Sequence, residues 1–217
     1  MKTDLQIQHN VVDELAWDPV LKASEIGVTC HEGVVTLSGY VNSYSKKLAA
    51  ENAAKRVRDV KAVAMDIEIK LPSDNKRTDS DIAAAALNAL RWNTFVPDDR
   101  VKLAIEEGWV TLEGELEWQY QKESAANAIK DLIGVRGISN LIKVRPNISA
   151  VVVKDAIKKA LERSAYIEAA GINIMTDGGN ITLKGKVRSW GERSEVERAA
   201  WATPGVLDVK DELVIAP

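Results

Sequence analysis

The chain has 217 residues, of which 46% are hydrophobic, 28% charged and 5% aromatic, and its 29 basic and 32 acidic side chains leave a net charge of −3. These proportions exclude a disordered or collagen-like chain, and no uncharged apolar run approaches the roughly 18–20 residues of a membrane-spanning helix. No global basic field is present to attract nucleic acid or an acidic membrane, so contacts of that kind would have to be local.

In chain order, the first predicted element is a helix that begins near Asp4, a plausible cap, and carries Ile7 and Leu15 on its apolar side. Ile26-x-Val28 then alternates as a strand does, and His31-Glu32-Gly33 reads as a tight turn in which the glycine supplies positive φ. In the returning strand Val35, Leu37 and Gly39 point one way while Val34, Thr36 and Ser38 point the other. Gly39 is thereby expected on the core side, where a missing side chain lets a helix backbone approach. A second helix carries Leu48, Ala49, Asn52, Ala53, Arg56 and Val57, and a last strand follows at Met65-x-Ile67-x-Ile69.

The same order returns twice. Gly33-Val34-Val35-Thr36-Leu37-Ser38-Gly39, Gly108-Trp109-Val110-Thr111-Leu112-Glu113-Gly114 and Gly179-Asn180-Ile181-Thr182-Leu183-Lys184-Gly185 share Gly-x-(Val/Ile)-Thr-Leu-x-Gly, at offsets of 75 and 71 residues. The offsets also align Ile7 with Ile82 and Val153, Leu15 with Leu90 and Leu161, and Ile67 with Ile142 and Leu213. The expectation is an α+β chain of three tandem α-β-β-α-β domains over residues 3–72, 78–146 and 149–217. Ser73 to Arg77 would be an exposed, mobile linker, and the connector near Pro146-Asn147-Ile148 is short enough to hold the second and third domains more closely.

These repeats resemble the BON domain, the module named for bacterial osmotically inducible periplasmic and nodulation proteins. The resemblance rests on the Gly-x-Val-Thr-Leu-x-Gly core and on Ile133-Gly134-Val135-Arg136-Gly137-Ile138 and Pro204-Gly205-Val206-Leu207-Asp208-Val209. The first copy departs there with Arg58-Asp59-Val60. The resemblance implies two helices on one face of a three-stranded mixed sheet, no catalytic residues, no cofactor, and an association with phospholipid surfaces and with osmotic or envelope stress. The start Met1-Lys2-Thr3-Asp4-Leu5 carries no export signal and the single cysteine, Cys30, makes no internal disulfide. With Met1 as the natural start the expected compartment is therefore the cytoplasm, or the periplasm if Met1 was added to a mature exported chain.

For chemistry the sequence offers little. His9 and His31 have no counterparts in the other repeats, Cys30 aligns with Ile105 and Thr176, and one cysteine with two histidines does not make a tetrahedral zinc site. No phosphate loop accompanies the repeated glycines, because Gly33, Gly108 and Gly179 close hairpins. Glu113, Glu115 and Glu117 alternate along one strand and read as its wet face, with weak cation binding as the lesser alternative.

Binding candidates are the lysines of the first repeat's second helix, Lys46, Lys47 and Lys55, and the tryptophans. Trp109 replaces Val34 and Asn180 on the wet strand face, and Trp118 and Trp190 fall at the start of the second helix, where exposure suits a lipid or protein contact. Trp201 is a further candidate, whereas Trp17 and Trp92, which align with Arg163, are expected to cap the core edge. The leading reading is a non-enzymatic, stress-associated protein that contacts phospholipid surfaces peripherally, or protein partners, and not nucleic acid. The alternatives are a chaperone-like or scaffolding module without lipid binding and a small-ligand or cation-binding regulator.

Overall fold

The structure, a computed structural model, describes residues 2–72, 77–145, 153–163 and 171–216. The sequence-predicted linker residues Ser73 to Lys76 and the connector at Pro146 to Ile148 lie outside that range.

The first repeat is built from α1 (Asp4–Trp17), β1 (Ile26–His31), β2 (Val34–Val41), α2 (Tyr44–Arg56) and β3 (Ala62–Ile69). β2 is central, antiparallel to β1 and parallel to β3. A hairpin joins the antiparallel pair, and α2 makes the crossover that a parallel pair requires. Ile7, Val11 and Leu15 of α1 and Ala50, Ala53 and Ala54 of α2 bury against Val35, Leu37 and Ile67. Helix two therefore meets the sheet through small residues, while Asn52 and Arg56, expected on that side, are exposed. The single methyl groups let the helix lie close to the strands.

The second repeat follows the plan with α3 (Asp79–Arg91), β4 (Val101–Glu106), β5 (Trp109–Leu116) and α4 (Gln119–Ile129). Its last strand is divided into β6 (Gly137–Asn140) and β7 (Lys143–Val144), both paired with β5. The division falls at Asn140, whose side-chain amide donates to the Lys122 carbonyl at 2.7 Å and whose Oδ1 accepts from the Ile142 amide at 3.4 Å. A side chain that bonds the local backbone in this way competes with the ladder. The third repeat has α5 (Val153–Glu162), β8 (Ile172–Asp177), β9 (Asn180–Val187), α6 (Trp190–Trp201) and β10 (Asp208–Ile215), with β9 central. Each repeat has its own core, and Ile67, Ile142 and Leu213, aligned by sequence, are all buried.

The helix starts differ from expectation. Thr3 and Thr78, not the aspartates beside them, are the N-caps of α1 and α3, each within a capping box closed by Gln6 or Asp81. Asp4 and Asp79 instead reach across to the hairpin turn. Asp4 accepts from the amides of Glu32 at 2.8 Å and Gly33 at 3.0 Å, and Asp79 accepts from Glu107 and Gly108, both at 2.9 Å. The turns need this help, since Glu32 and Glu107 hold φ near +50° ahead of glycines near +80°. In the third hairpin the left-handed φ, +56°, falls on Gly178.

Gly39, Gly114 and Gly185 also act differently. A Cβ at any of them would strike the carbonyl of Glu25, Arg100 or Gly171, the residue leading into the neighbouring strand, so the close approach comes from that strand's entry and not from a helix. Their φ values of +115°, +145° and +139° add a second requirement for glycine.

The chain divides into two compact units, Lys2–Leu116 with Tyr120–Lys143, and Val144–Pro217 with Glu117–Gln119. The first thus contains the first two repeats, whereas connector length pointed to the second and third as the closer pair. The physical reason is Tyr44, the first residue of α2, which packs half-buried against the core of the second repeat. Burial pushes its phenol up, opposed by a hydrogen bond with the Ile138 backbone.

Candidate functional site

The lysines do not form a free basic patch. Lys47 donates to the Ile67 carbonyl at 2.8 Å, and Lys55 lies 2.6 Å from Glu51, both members of that pair having side chains 29% exposed. Lys46 is half-buried, and Arg56 on the same helix sits between Glu14 at 2.7 Å and Asp18 at 3.6 Å. Helix two spends most of its positive charge on its own fold, which weakens it as an attractor of anionic head groups.

The tryptophans separate into three kinds. Trp17 and Trp92, expected at the core edge, are the most exposed large hydrophobic residues described, at 84% and 85%. Trp17 ends α1 and Trp92 is the C-cap of α3, so both stand where a helix axis runs out into solvent. Val20 and Phe95, each three residues further on, are exposed as well. The neighbouring charges are paired locally, Arg56 with Glu14 and Asp18 beside the first, Arg91 with Asp98 at 3.7 Å beside the second. The sequence held the sign of this exposure: Arg163 occupies the aligned place in the third repeat.

Trp109, on the helix-free face of the second sheet, is 51% exposed but not loose. Its indole N–H donates to Ser139 Oγ at 2.8 Å, and its benzo carbons lie where a Cβ on Gly137 would be. Trp118 and Trp190 are half-buried, with the Arg193 guanidinium 5.0 Å from the centre of the Trp190 ring. Trp201 packs against the third core. Of Trp109, Trp118 and Trp190, only Trp109 is exposed.

Groups suited to reaction chemistry stay apart. His9 and His31 are exposed, and Cys30 is half-buried with its thiol donating to Asp4 Oδ1 at 3.4 Å. Burial first, and then the Asp4 carboxylate, push that thiol up, so it remains protonated and is a poor nucleophile. Glu106, Glu107, Glu113 and Glu115 are exposed. Among the described residues no group of three or more His, Cys, Asp or Glu is placed to hold a metal ion, and no helix is long and apolar enough to cross a membrane. The repeat glycines Gly33, Gly108 and Gly179 close turns and Gly39, Gly114 and Gly185 admit strand entries, so all six serve the fold.

Comparison with known proteins follows the same lines. The chain is 30% identical over 133 residues to osmotically-inducible protein Y of Escherichia coli (strain K12), covering 58% of this chain and 64% of that protein, so it spans somewhat less than two thirds of the relative's length. Among solved structures it is similar to CdsD, a structural protein of the type III secretion system of Chlamydia trachomatis, at 17% identity and a TM-score of 0.27, over 99% of this chain and 93% of that one. The PrgH periplasmic domain gives 10% identity and a TM-score of 0.23, over 95% and 100%. Likeness at that level bears on neither arrangement nor function. The family model described as BON domain matches residues 3–70, 78–146 and 149–217.

Proposed function

Because the chain belongs to the BON domain family, with three copies in tandem, we propose that it is a non-enzymatic, stress-associated protein that touches phospholipid surfaces peripherally through Trp17 and Trp92. The stress component draws on the name of its osmotically inducible relative. The cytoplasmic location expected from the start of the chain gains nothing from that relative, and the reading holds on either side of a membrane.

The observation that carries the lipid contact is the exposure of Trp17 and Trp92, at equivalent helix ends in two repeats. An indole of about 200 Å² leaving water gains roughly 5 kcal/mol at 25 cal/mol per Å², and its amphipathic ring suits the head-group layer. Because charges beside both rings are paired and Lys47 and Lys55 are engaged, this contact is apolar and depends little on salt. Vesicle co-sedimentation tests it: binding should change less than about twofold between low and high salt and should fall at least about tenfold, or 1.4 kcal/mol, in Trp17→Ser/Trp92→Ser. Binding that survives the double substitution, or that disappears with salt, sinks this assignment.

A second reading, a scaffolding module that docks other domains, is favoured by Tyr44, through which one repeat of this chain already grips another.

A further inference from the structure

Trp109 differs from the other exposed tryptophans in being fixed. Its ring runs along β6 from Gly137, under the benzo carbons, to Ser139, which accepts its N–H. An indole held flat on a sheet by both ends cannot reach into a bilayer without breaking that bond, so this residue does not extend the membrane contact assigned to Trp17 and Trp92. What it offers is a rigid aromatic surface whose rotamer is already chosen, and a ligand stacking on it loses no side-chain entropy there.

The three residues of this arrangement change together within the chain. Where the second sheet has Trp109 beside Gly137 and then Ser139, the first has Val34 beside Ala62 and then Ala64, and the third has Asn180 beside Asp208 and then Lys210. The aromatic ring, the missing side chain that makes room for it and the hydroxyl that holds it occur only in the second repeat.

The surroundings select the ligand. Glu106 lies directly opposite Trp109 across the hairpin, and Ala104 opposite Thr111, giving a short floor of small residues beside the ring. A shallow groove runs over Ala104, Glu106, Trp109, Thr111 and Arg136. Its rim holds the carboxylates of Glu106 and Glu107, the Thr111 hydroxyl and the Arg136 guanidinium, so that acidic groups outnumber basic ones and disfavour phosphate-bearing ligands. A pyranose ring fits these demands: its face of C–H groups stacks on the electron-rich indole, and its hydroxyls bridge to Glu106, Thr111 and Arg136. We propose that the helix-free face of the second repeat is a binding site for neutral pyranose sugars, with Trp109 as the stacking platform.

The test is titration of the full chain with cellohexaose and with chitohexaose, followed by calorimetry and by the indole N–H signals of ¹⁵N-labelled tryptophan. The Trp109 signal should move with at least one hexasaccharide while those of Trp17 and Trp92 stay, and Trp109→Ala should lower affinity about tenfold or more. Gly137→Ala, which keeps the indole but pushes a methyl group into its place, should weaken binding as well. If either variant fails to fold, the wild-type Trp109 signal decides alone. A signal unmoved by about 10 mM of either sugar, well above a millimolar dissociation constant, overturns the proposal. So does unchanged affinity in folded Trp109→Ala, or a Trp109 signal that moves with phosphatidylglycerol vesicles instead.

Discussion

A methyl group added at Gly114 would occupy the position of the Arg100 carbonyl, and it would do so at a φ of +145° that side chains avoid. Neither fault can be relieved by rotating a side chain, so the strand entry must move. Gly114→Ala should therefore destabilise the second repeat by more than about 2 kcal/mol. Gly178→Ala makes a useful contrast: its φ is +56° but nothing lies within 4 Å of an added Cβ, so only the left-handed conformation, about 1 kcal/mol, is charged against it. Urea denaturation of the two variants separates them, and equal losses would show that conformation alone, without the carbonyl clash, governs these glycines. The sequence marked the recurring glycines but not what approaches them, because a repeated absence of a side chain does not say from which side the neighbour comes. The same limit applied to Lys47, whose partner, the Ile67 carbonyl, lies 20 residues away on a strand.

At the level of elements, helix, hairpin, helix and strand were legible from periodicity and turn glycines in all three repeats. The ends of those elements were less so. Thr3 and Asp4 are both capping types, and only the structure shows the hydroxyl at the cap and the carboxylate across on the hairpin. That tie has a pH dependence. Hydrogen bonds from the Glu32 and Gly33 amides hold the Asp4 carboxyl below its ordinary value of 3.8. A group depressed in the folded state stabilises above its unfolded value, and this contribution is lost as pH falls through the lower folded value. Asp4→Asn should melt below the parent at neutral pH, and the gap should close as pH falls below 3.8 and on through the lower folded value, where the parent's carboxylate becomes protonated. A gap that stays constant across that range would remove the ionised carboxylate from the explanation. Ala150 holds the aligned place in the third repeat.

For the whole molecule, three cores of modest size raise the question of which repeats support one another. Connector lengths suggested the second and third; the first two instead fall in one compact unit, with Tyr44 packed against the second core. Tyr44→Ala removes a half-buried ring from the second core and should cost that unit about 2 kcal/mol, a fall in Tm of roughly 4–8 °C for some 140 residues. Scanning calorimetry should also show the first two repeats separating into distinct transitions. A single unshifted transition would mean that the two repeats are joined by something other than this residue.

The sheet order, with β2 and β9 central, leaves β3 and β10 at the margins of their sheets. Such margins invite strands from other chains, and here they carry Asp66 and Glu68, and Asp208, Lys210 and Glu212. Like charges on β3 repel a second copy at distances up to the screening length, about 8 Å at physiological ionic strength and near 3 Å at 1 M salt. Protection of this kind against edge-to-edge pairing weakens as salt concentration rises, leaving solubility in concentrated salt to depend on how firmly each marginal strand stays paired within its own sheet.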